Sequence, residues 1–467
     1  MDSIFSINTG GNLLASGGYG CVFKPALLCQ GEKKRQKDKI TKLMTEKHAL
    51  SEYNEINSIR EKLQDIEDYQ NYFLIYETSL CKPAHLKKSD LENYSECRAL
   101  PKDGITNKNI NTKLDKLLSL NMPNGGLPVD DFLYNNGTFS KMYSVHSSLT
   151  KLLKNGILPM NKLNIYHGDI KDSNILVDSH YKTRLIDWGL TVEYVPFKDN
   201  PFPRTWRNRP LQFNVPFSVI LFTDRFIEKY SEFLKNGGKT DRISLKPFII
   251  DYIAVWMKER GPGHYKFINE IMFVLFSNSI TNVSLNHKTK IVETQITMNY
   301  IVNYLVEVLV NFNKHGDDIR SNMMDYLDNV FIKIVDIWGF ISVYFPFAEI
   351  FFNNYTKLTR QQLNIYHKLQ FIFGEYLFNP RTEEININSL YIELKNLGKL
   401  LKNVLTKKNQ TSKLKSIKKS SSITTDINEV SIKKSKTKKQ SFKKKVSFKR
   451  LPKKQRFKNP FLISILS

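Results

Sequence analysis

Residues 167–174 read His167-Gly168-Asp169-Ile170-Lys171-Asp172-Ser173-Asn174, and an apolar triplet, Ile175-Leu176-Val177, follows at once. A second carboxylate arrives 18 residues after Asp169, in Ile186-Asp187-Trp188-Gly189. Short apolar runs set between polar, turn-forming residues predict a loop–strand–loop segment over 165–190. Acids, a lysine and an amide crowded into such a segment demand much of the rest of the chain. Charged groups beside buried strands must be paired or hydrogen-bonded, so a large surrounding core has to hold them in place.

The residue types point to phosphoryl transfer. That reaction asks little covalent chemistry of a protein: an acceptor hydroxyl held in line, a group to take its proton, and cations spread over the phosphates. Asp169 supplies a carboxylate to orient the hydroxyl. Asn174, five residues on, offers an amide oxygen to a metal ion, and Asp187 a carboxylate to bridge that ion to the phosphates.

Upstream, Leu14-Ala15-Ser16-Gly17-Gly18-Tyr19-Gly20-Cys21-Val22 predicts strand, tight turn and strand. Glycines let a backbone approach phosphates closely enough for its N–H groups to donate to them. The segment resembles the glycine-rich loop of protein kinases, which implies that Tyr19 at the tip closes over such a site and that Val22 covers the adenine. Residues 32–39 read as a solvated hairpin tip, and in the strand that follows Ile40-Thr41-Lys42 resembles that family's A-I-K, which implies a phosphate-binding role for Lys42, with Lys39 as competitor. A helix over Glu46–Leu63 follows, its apolar side written by Leu50, Tyr53, Ile56, Ile59 and Leu63. The same resemblance implies a glutamate of this helix facing Lys42: Glu55, with hydrophobics one and four positions later as in the family helix, or Glu52, one turn earlier, as the fallback. A strand at Leu117–Met122 then meets the turn Pro123-Asn124-Gly125-Gly126.

Taken together, these segments resemble the eukaryotic-type protein kinase superfamily, whose glycine loop reads L-G-x-G-x-[FY]-G-x-V, whose catalytic loop reads H-R-D-x-K-x-x-N and whose metal motif reads D-F-G. The resemblance implies an α+β, bilobal fold with a small β-rich lobe and a large, mostly helical one. It implies ATP and Mg2+ as cofactors and a protein substrate. Asp169 then looks like the catalytic base, Lys171 like the γ-phosphate lysine, Asn174 and Asp187 like magnesium ligands, and Met122 like the hinge residue that bonds adenine. Ala15 replaces the first loop glycine. Gly168 replaces the usual arginine, which puts the family's phosphorylation switch in doubt. The family's D-x-W-[SG] anchor has its best match in Asp336-Ile337-Trp338-Gly339, 149 residues after Asp187, which calls for a helical insertion at about 217–325.

His167-Gly168-Asp169 with Ile186-Asp187-Trp188 also resembles the aminoglycoside- and choline-type small-molecule kinases. Lys171 and the tyrosine-tipped glycine loop argue for a serine/threonine protein kinase instead. A catalytically silent scaffold would lack one of Lys42, Asp169, Asn174 or Asp187, and all four are present. Over about 10–220 the set is similar to the divergent kinases of large cytoplasmic DNA viruses, which implies a host-cell cytoplasmic setting with the virion as a further location.

Of the 70 Lys+Arg and 45 Asp+Glu, residues 401–467 hold 21 and 2, so +19 of the formal +25 lies in the tail. The chain therefore reads as a small lobe over 1–122 with a polar insertion loop at about 81–112, a large lobe over 123–400, and a disordered Lys/Ser-rich tail over 401–467. Such a tail binds nucleic acid or anionic membrane by counterion release alone, or stays a solvated appendage. The opening residues lack a basic segment and a long apolar run, so no signal peptide is expected. Ile337–Ala348 is too short for a bilayer span of about 20 residues and reads as a core helix. The four cysteines, Cys21, Cys29, Cys81 and Cys97, form no C-x-x-C pair and are expected to be reduced thiols in a cytosol-like compartment.

Overall fold

A computed structural model describes residues 11–197, 202–316 and 318–420. The protein is α+β and divides into two compact units, one of residues 11–128 with 151–195, the other of 129–150 with the chain from 196 onward.

In the first unit, β1 (Asn12–Ser16), β2 (Gly20–Lys24), β3 (Lys39–Thr45), β4 (Ser79–Cys81) and β5 (Leu117–Pro123) form an antiparallel sheet in the order β1-β2-β3-β5-β4. Ala15 lies opposite Val22, Val22 opposite Lys42, and Lys42 opposite Leu120. Directly opposed residues share a face of the pleat, so Ala15, Val22, Lys42 and Leu120 form one row across the sheet. Lys39, an odd number of residues away, belongs to the other face.

Helix α1 (Glu46–Leu63) opens with an acid in its first turn and closes with Arg60 and Lys62 in its last, both favourable to the helix dipole. Its buried stripe is Ala49, Ile56, Ile59 and Leu63. Leu50, expected on that stripe, is 43% exposed. The chain leaving α1 adds Tyr72–Leu74 alongside Leu185, through Leu185 N–H to Tyr72 O at 2.8 Å and Leu74 N–H to Leu185 O at 3.1 Å. Short strands complete the unit: β6 (Leu127–Pro128), β8 (Ile175–Val177) and β9 (Thr183–Leu185) form one sheet, and β7 (Ile165–Tyr166) pairs with β10 (Val192–Glu193).

Two expectations fail in this unit. The segment expected to be a polar, irregular loop at 81–112 is an ordered cap of short 3-10 turns. Its Leu86, Tyr94, Cys97, Leu100, Ile105 and Ile110 share one apolar cluster with Leu13, Cys21, Phe23 and Leu43 of the sheet. Apolar residues spaced irregularly along a turn-rich stretch carry no period, yet each contributes about 1.5–3 kcal/mol once fully buried. Asp90, also buried, is held by Arg35 at 2.7 Å and by the Lys87 N–H at 2.9 Å.

The cysteines are not free thiols. Cys21 is bonded to Cys97 and Cys29 to Cys81, each pair with Cα atoms 5.7 Å apart. These partners lie 76 and 52 residues apart in sequence; Cys97 reaches Cys21 from the cap, which spans 82–116, while Cys81 ends β4 of the sheet.

The second unit is helical. Phe217, Tyr304 and Trp338 meet at ring-centroid distances of 5.4–5.8 Å. The expected insertion at 217–325 therefore shares a core with the helices that follow it. The apolar run Ile319–Phe352 is long enough to cross a membrane, but 94% of its most apolar window is buried within the protein. His146 of helix Phe139–Leu152 packs on Tyr344, Nδ1 to hydroxyl 3.0 Å, with helix Ile387–Ser420 closing over it through Gly398. That last helix runs straight through residue 401, where the tail was expected to begin. The remainder of the basic tail, 421–467, lies outside the described residues.

Candidate functional site

Lys42 of β3 makes a two-point ion pair with Glu52 of α1, Nζ to Oε1 at 2.7 Å and to Oε2 at 2.6 Å. Both side chains are largely covered, 18% and 24% exposed. The expected partner was Glu55, and the reason for the difference is rotational. At 100° per residue Glu52 falls in the middle of the buried stripe of Ala49, Ile56, Ile59 and Leu63, whereas Glu55 lies to its side. Glu55 remains close to the same charges. Burial pushes its carboxyl up, the charges of Glu52 and Asp187 push it further, and Lys42 partly offsets them. Lys39 is not in this cluster; its Nζ reaches the Glu77 carbonyl at 3.4 Å.

The loop 167–174 is closed on itself. Asp169, 6% exposed, accepts from Lys171 Nζ at 2.7 Å and from Asn174 Nδ2 at 3.0 Å, both on Oδ2. Asn174 Nδ2 also donates to the Asp169 carbonyl at 2.8 Å. With its N–H groups so engaged, Asn174 keeps Oδ1 as an acceptor. Gly168 has φ +65°, in the left-handed region that glycine occupies without penalty, so the departure from arginine suits the local backbone.

Asp187 is brought alongside. The Ile186 N–H donates to the Asn174 carbonyl at 3.0 Å, and His167 bridges to the Ile186 carbonyl through Nε2 at 3.0 Å. The Asp169 N–H lies 3.3 Å from His167 Nδ1, which assigns the ring proton to Nε2. The His167 ring packs edge-on against Trp188, and Trp188 against Phe73. Asp187 itself has φ +67°, a conformation that costs a non-glycine residue about 1–3 kcal/mol and clusters at functional sites.

The glycine-rich hairpin turns through a Gly17 N–H to Gly20 O bond at 2.9 Å. A Cβ at Gly20 would stand 2.7 Å from the Leu43 carbonyl and 2.3 Å from Met44 Cγ, so the closeness of β2 to β3 there requires glycine. Leu14, Ala15, Gly17, Gly18 and Tyr19 are exposed, and the Tyr19 ring stacks on His48 of α1 at 4.5 Å. Met122, half-buried, sits across from Ile40 at the end of β5, where the Asn124 N–H bonds the Asp38 carbonyl at 2.8 Å.

The first unit thus holds Lys42, Glu52, Glu55, Asp169, Lys171, Asn174 and Asp187 together with the glycine hairpin and Met122. Asp336 is not among them. It is buried within helix Ile332–Ser342 of the second unit. No sequence pattern singles out His167 as a bridge, since its partner is a backbone carbonyl, or His48, whose partner is a loop tip.

No protein-family model matches the chain, and no curated protein matches it by sequence.

The donor set bears on which cofactors the site suits. Among the described residues no group of three or more His, Cys, Asp or Glu side chains could hold a metal ion. Mg2+ has different needs: one or two protein oxygens, with phosphates and water completing its shell. Asn174 Oδ1 and the Asp187 carboxylate are the oxygen donors that the two linked segments offer.

Proposed function

We propose that the chain is an ATP- and Mg2+-dependent serine/threonine protein kinase with a kinase-type bilobal fold, of the divergent type that resembles kinases of large cytoplasmic DNA viruses. The observation that carries this reading is the interlock of Asp169 with Lys171 and Asn174, tied through His167 and Ile186 to Asp187, in the unit that also holds the Lys42–Glu52 pair. Each member supplies one of the few things phosphoryl transfer needs.

In this reading the glycine hairpin, the Met122 backbone and Lys42 hold the nucleotide, and Glu52 fixes the direction of Lys42. Asn174 and Asp187 hold Mg2+, which when bound supplies positive charge to the phosphates. Asp169 accepts the proton of the acceptor hydroxyl and orients it. Lys171, bonded to the same carboxylate, places a cation beside the acceptor. That lysine favours a protein serine or threonine over a small alcohol. The disulfides remove the cysteine argument for a reducing compartment.

The test is transfer of labelled phosphate from ATP by purified protein to itself, to basic and acidic proteins and to small-molecule alcohols. Phosphoserine and phosphothreonine are the expected products. Transfer only to a small alcohol selects the aminoglycoside- and choline-type reading. No transfer, with ATP still bound, selects a silent scaffold.

A further inference from the structure

The cap at 82–116 grips the glycine-rich hairpin on both strands. On β2, Cys21, the residue after Gly20, is bonded to Cys97 of the cap. On β1, the Ser16 hydroxyl, the residue before Gly17, accepts the Arg98 N–H at 2.8 Å. Ser16 Oγ also lies 3.6 Å from Cys21 Sγ, and because that sulfur carries no hydrogen the hydroxyl is the donor. Two consecutive cap residues therefore hold the two ends of the turn formed by Gly17–Gly20. The covalent half of the grip is buried, Cys21 and Cys97 being 0% and 2% exposed within an apolar cluster that includes Leu13, Tyr94 and Leu100, whereas the Arg98–Ser16 bond is at the surface.

We propose that Cys97 is a positioning residue for the nucleotide loop: through its bond to Cys21, assisted by the Arg98 N–H, the cap holds the glycine-rich hairpin in its phosphate-binding position. The proposal rests on the nucleotide-binding reading above. A hairpin whose tip is exposed at Gly17 and Gly18 and touches α1 only through the Tyr19–His48 stack samples many positions, and only a fraction of them suit a ligand. Apparent affinity scales with that fraction, so a covalent anchor at the base of the turn raises affinity without touching the nucleotide. Breaking the anchor takes two electrons and two protons and yields the two thiols: two reductant thiols supply both and become a disulfide, whereas a phosphine supplies the electrons, takes oxygen from water to become its oxide, and water supplies the protons. Cys29–Cys81 is the more accessible pair, with Cys29 at 9% and Cys81 half-buried, so it reduces first and serves as an internal control.

The experiment compares wild type, Cys97→Ser and the Cys29→Ser/Cys81→Ser pair by amide hydrogen exchange over residues 14–22, without nucleotide, and by ATP kinetics. Cys97→Ser is expected to exchange faster over 14–22 and to raise the ATP KM about tenfold, with kcat within about twofold, the pattern of lost uniform binding. The Cys29/Cys81 pair is expected to leave exchange over 14–22 unchanged. Unchanged exchange in Cys97→Ser overturns the proposal whether or not the protein binds ATP. Faster exchange with an unchanged KM overturns the link from loop position to affinity. Faster exchange in a protein whose wild type binds no ATP overturns the nucleotide-binding reading and the functional half of this proposal with it. Should Cys97→Ser fail to fold, stepwise phosphine reduction of folded wild type, with thiols trapped by a maleimide, gives the same comparison: the second reduction step, and not the first, must loosen 14–22.

Discussion

His167 donates from Nε2 to the carbonyl oxygen of Ile186 at 3.0 Å, and so ties the loop that carries Asp169 to the residue just before Asp187. With the Ile186 N–H to Asn174 carbonyl bond at 3.0 Å, it joins the two carboxylate-bearing segments. His167→Phe preserves a buried ring against Trp188 but removes the bond to the Ile186 carbonyl and the one from the Asp169 N–H. Loss of buried hydrogen bonds of this kind costs about 1–3 kcal/mol each. The denaturation midpoint is expected to fall, and phosphoryl transfer to fall by more than ATP affinity does, as separate titration and turnover measurements would show.

Asp169→Asn is expected to abolish transfer while leaving ATP binding largely intact. An amide cannot take the hydroxyl proton, whereas nucleotide affinity comes from the hairpin, Lys42 and the metal ligands. Near-wild-type turnover in the purified variant would remove Asp169 from the role of base.

The register of β3 separates two lysines that are three positions apart. Lys42→Met is expected to lower turnover by orders of magnitude, and Lys39→Met, on the opposite face, to do little. Glu52→Gln should reproduce much of the Lys42 defect because it breaks the two-point pair. If Glu55→Gln proves the more damaging of the two acid variants, the ion pair to Glu52 is not the one that matters for activity.

Glu55 also sets a pH signature. Its carboxyl is raised above the ordinary 4.5 by burial and by the charges of Glu52 and Asp187. The folded state therefore holds a proton that the unfolded chain has lost, and stability falls as pH rises from 4.5 through the raised folded value. Glu55→Gln removes that penalty. The variant is expected to be more stable than wild type at neutral pH, with the difference vanishing below pH 4.5; equal differences at both extremes would show that charge is not the cause.

His146 works in the opposite direction. Burial pushes its imidazole down to about 4 from 6.5. Between those values the unfolded chain binds a proton that the folded chain refuses, so stability falls as pH falls, by roughly 3 kcal/mol when the loss is complete. Above pH 6.5 there is no effect. Urea melts across pH 4–7 are expected to show this extra slope in wild type and not in His146→Gln, whatever the variant's stability at neutral pH.

Local pattern made several parts of this molecule legible in advance. Glycine spacing marked the hairpin Ser16–Cys21, helical periodicity marked α1 with its ends at Glu46 and Leu63, and the apolar triplet at Ile175–Val177 marked β8. What stayed hidden depends on long-range packing. Glu52 and Glu55 differ only in how α1 is rotated on the sheet, which neighbouring hydrophobics could not settle because Leu50 faces out and Ala49 faces in. The cap at 82–116 has no helical or strand period to detect. The cysteines looked solitary because Cys97 is brought to Cys21 only by that cap, and Cys81 to Cys29 only by the pairing of β4 into the sheet. The helices after 217 were foreseeable as helices, but their common core around Trp338 was not.

The two disulfides are nested, with Cys29–Cys81 lying inside the span of Cys21–Cys97. Everything from Val22 to Glu96, including Lys42 and all of α1, therefore belongs to a covalent ring. Lys33, Lys34 and Lys37 stand exposed at the tip between β2 and β3, the natural place for trypsin to cut. A cut there severs the backbone without releasing a fragment: two bonds still join the pieces, and the nicked protein migrates as one band until a reductant is added.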